Sequence, residues 1–111
     1  MEVLLAEFSL DPTILLSGPG ETEFFVTNQG AIEHQLVVIR TDQAPSDLAV
    51  VDGKVDEAQA GPVMGESETD VLQPGQSGFM SLDLEAGTYV LICNIAGHYE
   101  AGMRAGITLT D

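Results

Sequence analysis

Gly87-Thr-Tyr-Val-Leu-Ile-Cys-Asn-Ile-Ala-Gly-His-Tyr-Glu-Ala-Gly-Met103 is the stretch whose reading decides this chain. Its first half has the period of a strand, with Tyr89, Leu91 and Cys93 on one face and Val90 and Ile92 on the other. The second half breaks into a glycine-containing loop that carries His98 and Met103. The spacing Cys-x4-His-x4-Met therefore puts a thiolate, an imidazole and a thioether on one loop.

A second imidazole, His34, heads the apolar run His34–Arg40. Cys93 is the single cysteine, and His34 and His98 are the two histidines of the chain. Each alone has an ordinary reading: a core thiol, hydrogen-bonded histidines, a packing methionine. Together they are the donor types of a trigonal His2Cys copper site with a weak axial Met. Thiolate and thioether suit Cu(I), and imidazoles suit Cu(II) as well. A site acceptable to both states need not rearrange when an electron moves.

The framing Gly87-x-Tyr89-x-x-x-Cys93, followed by His98-x-x-x-Gly102-Met103, resembles the C-terminal ligand loop of the cupredoxins, the type 1 blue copper proteins. The resemblance implies an all-β, Greek-key β-sandwich with about 7–8 strands. It implies one copper ion (Cu(I)/Cu(II)) bound by His34, Cys93, His98 and Met103, and single-electron transfer rather than enzymatic turnover. All four ligand positions are then protein side chains, which leaves no open position for a substrate. A redox partner protein is expected to dock near His98, on a patch of Ile95, Ala96, Gly97 and Ala101 with Ala31 and Ile32. Glu100 beside that exit favours a basic partner, and Tyr99 reads equally as a contact or a loop aromatic. The resemblance further implies a monomer working in the periplasm or elsewhere outside the cytoplasm, with a signal or anchor ahead of Met1 left open. A copper-delivery module that passes no electrons is the alternative, and a copper-free sandwich the third reading. Two departures matter: Ile92 stands where some members place an aromatic electron route, and Gln35 replaces the Asn that often follows the upstream His.

Length and charge narrow the rest. The 111 residues suit a single domain spanning 1–111, and 44% hydrophobic content suits a folded one. One cysteine excludes an internal disulfide, and no apolar run reaches membrane-spanning length, so no membrane insertion of this segment is expected. A net charge of −15, from 18 acids against Arg40, Lys54 and Arg104, excludes nucleic acid as a partner. The acids are spread along the chain, which favours a solubility role over steering.

In chain order, 3–10 reads as a strand with Leu4, Ala6, Phe8 and Leu10 on one side, turned by Asp11-Pro12. Ile14–Leu16 reads as a short strand ended by Ser17–Gly20, and Glu21–Thr27 as the next, turned by Asn28-Gln29-Gly30. In His34–Arg40, His34, Leu36 and Val38 must face inward if His34 meets a buried metal. Residues 41–76 form an acidic excursion that covers Val37 and Ile39. Within it, Leu48–Val51 enters a turn at Asp52-Gly53, and Asp56 caps one short helix ended by Gly61. Met64 and Met80 read as packing residues. Leu72–Gly75 turns into a strand at Ser77–Leu84, with Met80, Leu82 and Leu84 inward. The last strand, Arg104–Thr110, puts Ala105, Ile107 and Leu109 on one face.

Overall fold

A computed structural model describes residues 2–13, 20–66 and 71–109. Among these the chain runs β1 (Glu2–Ala6), β2 (Ser9–Thr13), β3 (Gly20–Asn28), β4 (Val37–Arg40), β5 (Val50–Val51), β6 (Lys54–Val55), α1 (Glu57–Ala60), β7 (Val63–Glu66), β8 (Ser77–Leu84), β9 (Gly87–Ile92), α2 (His98–Ala101) and β10 (Arg104–Leu109). Two four-stranded sheets, ordered β2-β1-β3-β8 and β10-β9-β4-β7, face each other, and β5-β6 is a separate small hairpin. At the sandwich edges β10 lies along β2 and β7 along β8. The expected all-β sandwich is therefore present, with ten strands rather than 7–8 and a second helical turn at α2.

Alternation decides which side chains fill the sandwich. Phe24 and Val26 from β3, Leu84 from β8, and Tyr89 and Leu91 from β9 meet Leu36, Val38, Ile107 and Leu109 in one buried cluster. Met64 and Met80 pack against it, as their sequence setting implied. The opposite face of β4 and β9 carries Val37, Ile39, Val90 and Ile92, which are wholly buried too. The excursion covers them with Leu48, Val55 and Ala60. The turn at Asp52-Gly53 and the helix form where expected, though the strand before the turn is only Val50–Val51, and the Asp56 carboxylate accepts the Ala58 N–H as N-cap.

Five expectations need correction or placing. The run 3–10 is two strands, because a turn at Glu7 and Phe8 folds it into an antiparallel hairpin. Val3, Leu5 and Leu10 face the core while Phe8 is 45% exposed, so Leu4, Ala6, Phe8 and Leu10 do not share one side as read from the sequence. Asp11-Pro12 lies inside β2, which is tolerated because β2 is an edge strand that needs no N–H from Pro12 on its outer side. The Ile14–Leu16 strand and most of its turn lie outside the described residues. β4 begins at Val37 rather than His34, which instead forms an isolated bridge with Leu72. Finally, β7 pairs antiparallel with β4 in a stretch read as loop, since Gly61, Pro62 and Gly65 disguise a short strand.

Candidate metal centre

Two different parts of the fold bring the donors together. The bridge to Leu72 fixes His34: His34 N–H donates to Leu72 O at 3.1 Å, and Leu72 N–H returns to His34 O at 2.7 Å. Buried Asn28 braces the same region, donating through Nδ2 to Ile32 O at 2.9 Å and Leu72 O at 2.7 Å. The sharing of a face by His34, Leu36 and Val38 is as expected, and all three are inaccessible to solvent.

Cys93 follows β9 directly. Its N–H donates to Met103 O at 3.1 Å, while Met103 N–H donates to His98 O at 3.1 Å, so the loop closes on itself. Between them α2 is one helical turn, started by Gly97 at φ +83° and ended by Gly102 at φ +124°. Both values favour glycine, and the sharp entry and exit turn the His98 ring inward.

The result is a compact triangle of donor atoms. His34 Nδ1 lies 3.3 Å from His98 Nδ1, Cys93 Sγ 3.4 Å from His98 Nδ1, and Cys93 Sγ 4.0 Å from His34 Nδ1. All three residues are buried. A point equidistant from atoms so spaced lies about 2.1 Å from each, inside the range of about 2.0–2.3 Å at which nitrogen and sulfur bind a first-row metal such as zinc. Two imidazoles and a thiolate fit copper in both oxidation states. His34, Cys93 and His98 thus form a candidate copper site. Met103 is wholly buried in the core cluster that contains Cys93.

The metal-free electrostatics suit a closed pocket. Burial pushes the Cys93 thiol up, against the pull of the Ile95 and Gln35 N–H groups, the latter donating to Sγ at 3.3 Å. Burial also holds His98 below its ordinary value, helped by the like charge of His34 and opposed by Glu7 and Glu33. Both donors are therefore favoured in neutral form, and metal loading would release the thiol proton.

Three contributions were not legible in the sequence. Glu7, at the hairpin tip, stands 3.2 Å from His34 Nε2; its one visible signal was a charge interrupting an apolar run. Phe8, read as sharing one side of a strand with Leu4, Ala6 and Leu10, instead packs its ring across that of His98, at 5.2 Å between centroids. Asn94 clamps the loop to the excursion: it accepts the Val55 N–H at 2.8 Å and donates to Val55 O at 3.2 Å and Glu57 Oε2 at 2.8 Å. Tyr99, left open between two roles, is 3% exposed and inward, accepting the Leu48 N–H at 3.0 Å and donating to Pro45 O. It is an anchor, so a surface-contact role is set aside.

A family model described as the sulfocyanin (SoxE) domain matches residues 13–111. The chain belongs to the sulfocyanin family. Solved structures similar to this sulfocyanin-family chain include auracyanin from Roseiflexus castenholzii, at 21% identity and TM-score 0.73, covering 99% of this chain and 95% of that one. Auracyanin A from Chloroflexus aurantiacus, a "blue" copper protein, gives 17% identity and TM-score 0.70, covering 99% of this chain and 97% of that one. Rusticyanin from Thiobacillus ferrooxidans gives 16% and 0.63, covering 98% and 76%. These likenesses bear out the cupredoxin fold. One domain-sized part of a multi-copper oxidase from Pediococcus acidilactici is similar as well, this chain covering 26% of it. No curated protein sequence matches the chain.

Proposed function

We propose that this chain is a one-electron carrier, in which a single copper ion would be held by His34 Nδ1, Cys93 Sγ and His98 Nδ1, with Met103 as a further, weaker donor. The observation that supports it is the buried triangle of three donor atoms, already at bonding spacing for one ion. Bound copper would supply a Cu(I)/Cu(II) couple. The chain's own residues do the remainder. Cys93 offers the strong covalent donor, and the N–H of Gln35 steadies its sulfur. The two sheets exclude water from the donors, and the loop closure at Met103 keeps them from splaying.

His98 is the donor nearest solvent, at 8% exposed. The exposed Phe8 ring packs against it, Ala96, Gly97 and Ala101 are exposed on its own loop, and exposed Ile32 lies beside Glu7. We read this rim as the docking face for a redox partner protein, with His98 as the exit for the electron. Glu7, Glu33 and Glu100 make the surroundings acidic, which suits a basic partner. Work outside the cytoplasm and a monomeric state fit this reading, and no helix of the described residues is long and apolar enough to cross a membrane. With protein side chains at every donor position, the reading is not enzymatic.

The test is to add Cu(II) to the purified chain and record visible absorption, EPR and voltammetry. An intense visible band, a small copper hyperfine splitting and a reversible one-electron wave with copper retained are expected. A colourless complex, or copper surrendered on reduction to a competing acceptor protein, would overturn the carrier reading. Met103→Leu should keep copper and raise the potential, because it removes a donor that helps Cu(II), whereas Met103→Gln should lower it. If neither moves it, Met103 is not a donor.

A further inference from the structure

The β1–β2 turn brings a carboxylate to the metal centre from outside the ligand loop. Oε1 of Glu7 accepts the N–H groups of Ala31 and Ile32 at 2.8 Å each. The same oxygen stands 3.2 Å from Nε2 of His34. The two backbone amides belong to the stretch that leads into His34, so carboxylate and imidazole are indexed to one piece of chain. Two backbone N–H groups and an imidazole nitrogen converging on one oxygen are the partners that a carboxylate acceptor takes.

A neutral imidazole has one N–H, and the partner on one nitrogen decides where it sits. An acceptor against Nε2 places the hydrogen there and leaves the Nδ1 lone pair facing Cys93 and His98. We propose that Glu7 is a positioning residue of this centre, fixing His34 as the Nε2–H tautomer with Nδ1 open and adding a negative charge that favours Cu(II) over Cu(I). The metal half of this proposal rests on the copper reading above; the tautomer half does not.

Gly30 supports it independently. A Cβ built there would lie 2.5 and 2.6 Å from the two carboxylate oxygens of Glu7, so the carboxylate occupies a seat open only because residue 30 has no side chain. Gly30 is not among the glycines with positive φ, which makes close approach, and not backbone strain, the reason for glycine. Gly30→Ala should therefore displace the flexible carboxylate end and spare the backbone, reaching the Glu7 contact without touching Glu7.

Three variants separate the two effects. Glu7→Gln keeps an acceptor oxygen and removes the charge, Glu7→Leu removes both, and Gly30→Ala moves the group from its seat. In metal-free protein near neutral pH, ¹⁵N spectra of the imidazoles should show one His34 tautomer, Nε2–H, in the wild type and in Glu7→Gln. Glu7→Leu and Gly30→Ala should show a mixture. With copper, Glu7→Gln should weaken Cu(II) binding about tenfold more than Cu(I) binding, which raises a one-electron potential by about 59 mV. Glu7→Leu should cost roughly 10–100-fold in Cu(II) affinity. Folded Glu7→Leu and Gly30→Ala proteins with the wild-type tautomer, affinity and potential would overturn the proposal. A wild type with mixed tautomers overturns the Glu7 contact alone, whereas a wild type with the Nε2–H form that binds no copper overturns the copper reading and the metal half with it.

Discussion

The two imidazoles of the centre are seated by different means. His34 comes from the scaffold and is held by an ionised group, the Glu7 carboxylate, together with the bridge to Leu72. His98 comes from the loop, which is anchored by the α2 turn, the Tyr99 hydroxyl and the Asn94 amide, with Glu57 accepting from Asn94 and Arg104 donating to Tyr99 O. A charged group thus meets one corner of the donor triangle directly, while shape, set by anchors on neighbouring loop residues, acts on the other. A pocket built this way can have its electronic preference altered without loosening its geometry, and the reverse.

Removing the corner both halves share should have the largest effect. Cys93→Ser should abolish the intense visible band of the Cu(II) form altogether, since that band needs the thiolate, and an unchanged spectrum would remove the basis of the comparison. Tyr99→Phe acts on the shape side alone. It leaves the Leu48 N–H buried without its acceptor, so thermal or chemical unfolding should report a loss of about 1–3 kcal/mol. If the potential moved as far as in Glu7→Gln, the division of labour would fail.

The smallest effect is the acid dependence of the metal-free protein. His98 and Glu7 both have lowered values when folded, the first through burial and the second through the Ile32 N–H. For such groups the unfolded chain binds more protons, so stability is present above the ordinary value and is lost as pH falls through the folded one. The His98 contribution should fade below its ordinary 6.5, and the Glu7 contribution only below 4.5. Urea midpoints measured across pH should show two steps, the first missing in His98→Gln and the second in Glu7→Gln. A single step common to all three proteins would mean that the halves are not separable.

The ligand loop was legible because strand alternation and donor spacing are local. Tyr89, Leu91 and Cys93 take one face and Val90 and Ile92 the other by chain period alone, the first meeting the sandwich core and the second the excursion. The covering role of the excursion followed from the same logic, since Val37 and Ile39 needed a lid. What escaped was non-local. Nothing near Glu7 announces a histidine 27 residues away, and the amide of Asn94 meets a backbone 39 residues distant. Phe8 was misplaced because a two-residue turn at Glu7 resets the alternation, and a period cannot reveal its own interruption. β7 escaped for another reason: its glycine and flanking proline satisfy turn chemistry as well as an edge strand.

The Asn94 and Tyr99 attachments have an evolutionary corollary. Residues 93–103 carry three chemically informative side chains, yet they rely on Pro45, Leu48 and Val55 for their anchorage. Grafted into an unrelated β-sandwich without that brace, the segment would arrive with an amide and a phenol unmated. The heritable unit of this centre is therefore the hinge plus its remote splint, and insertions should be tolerated least where the splint touches it.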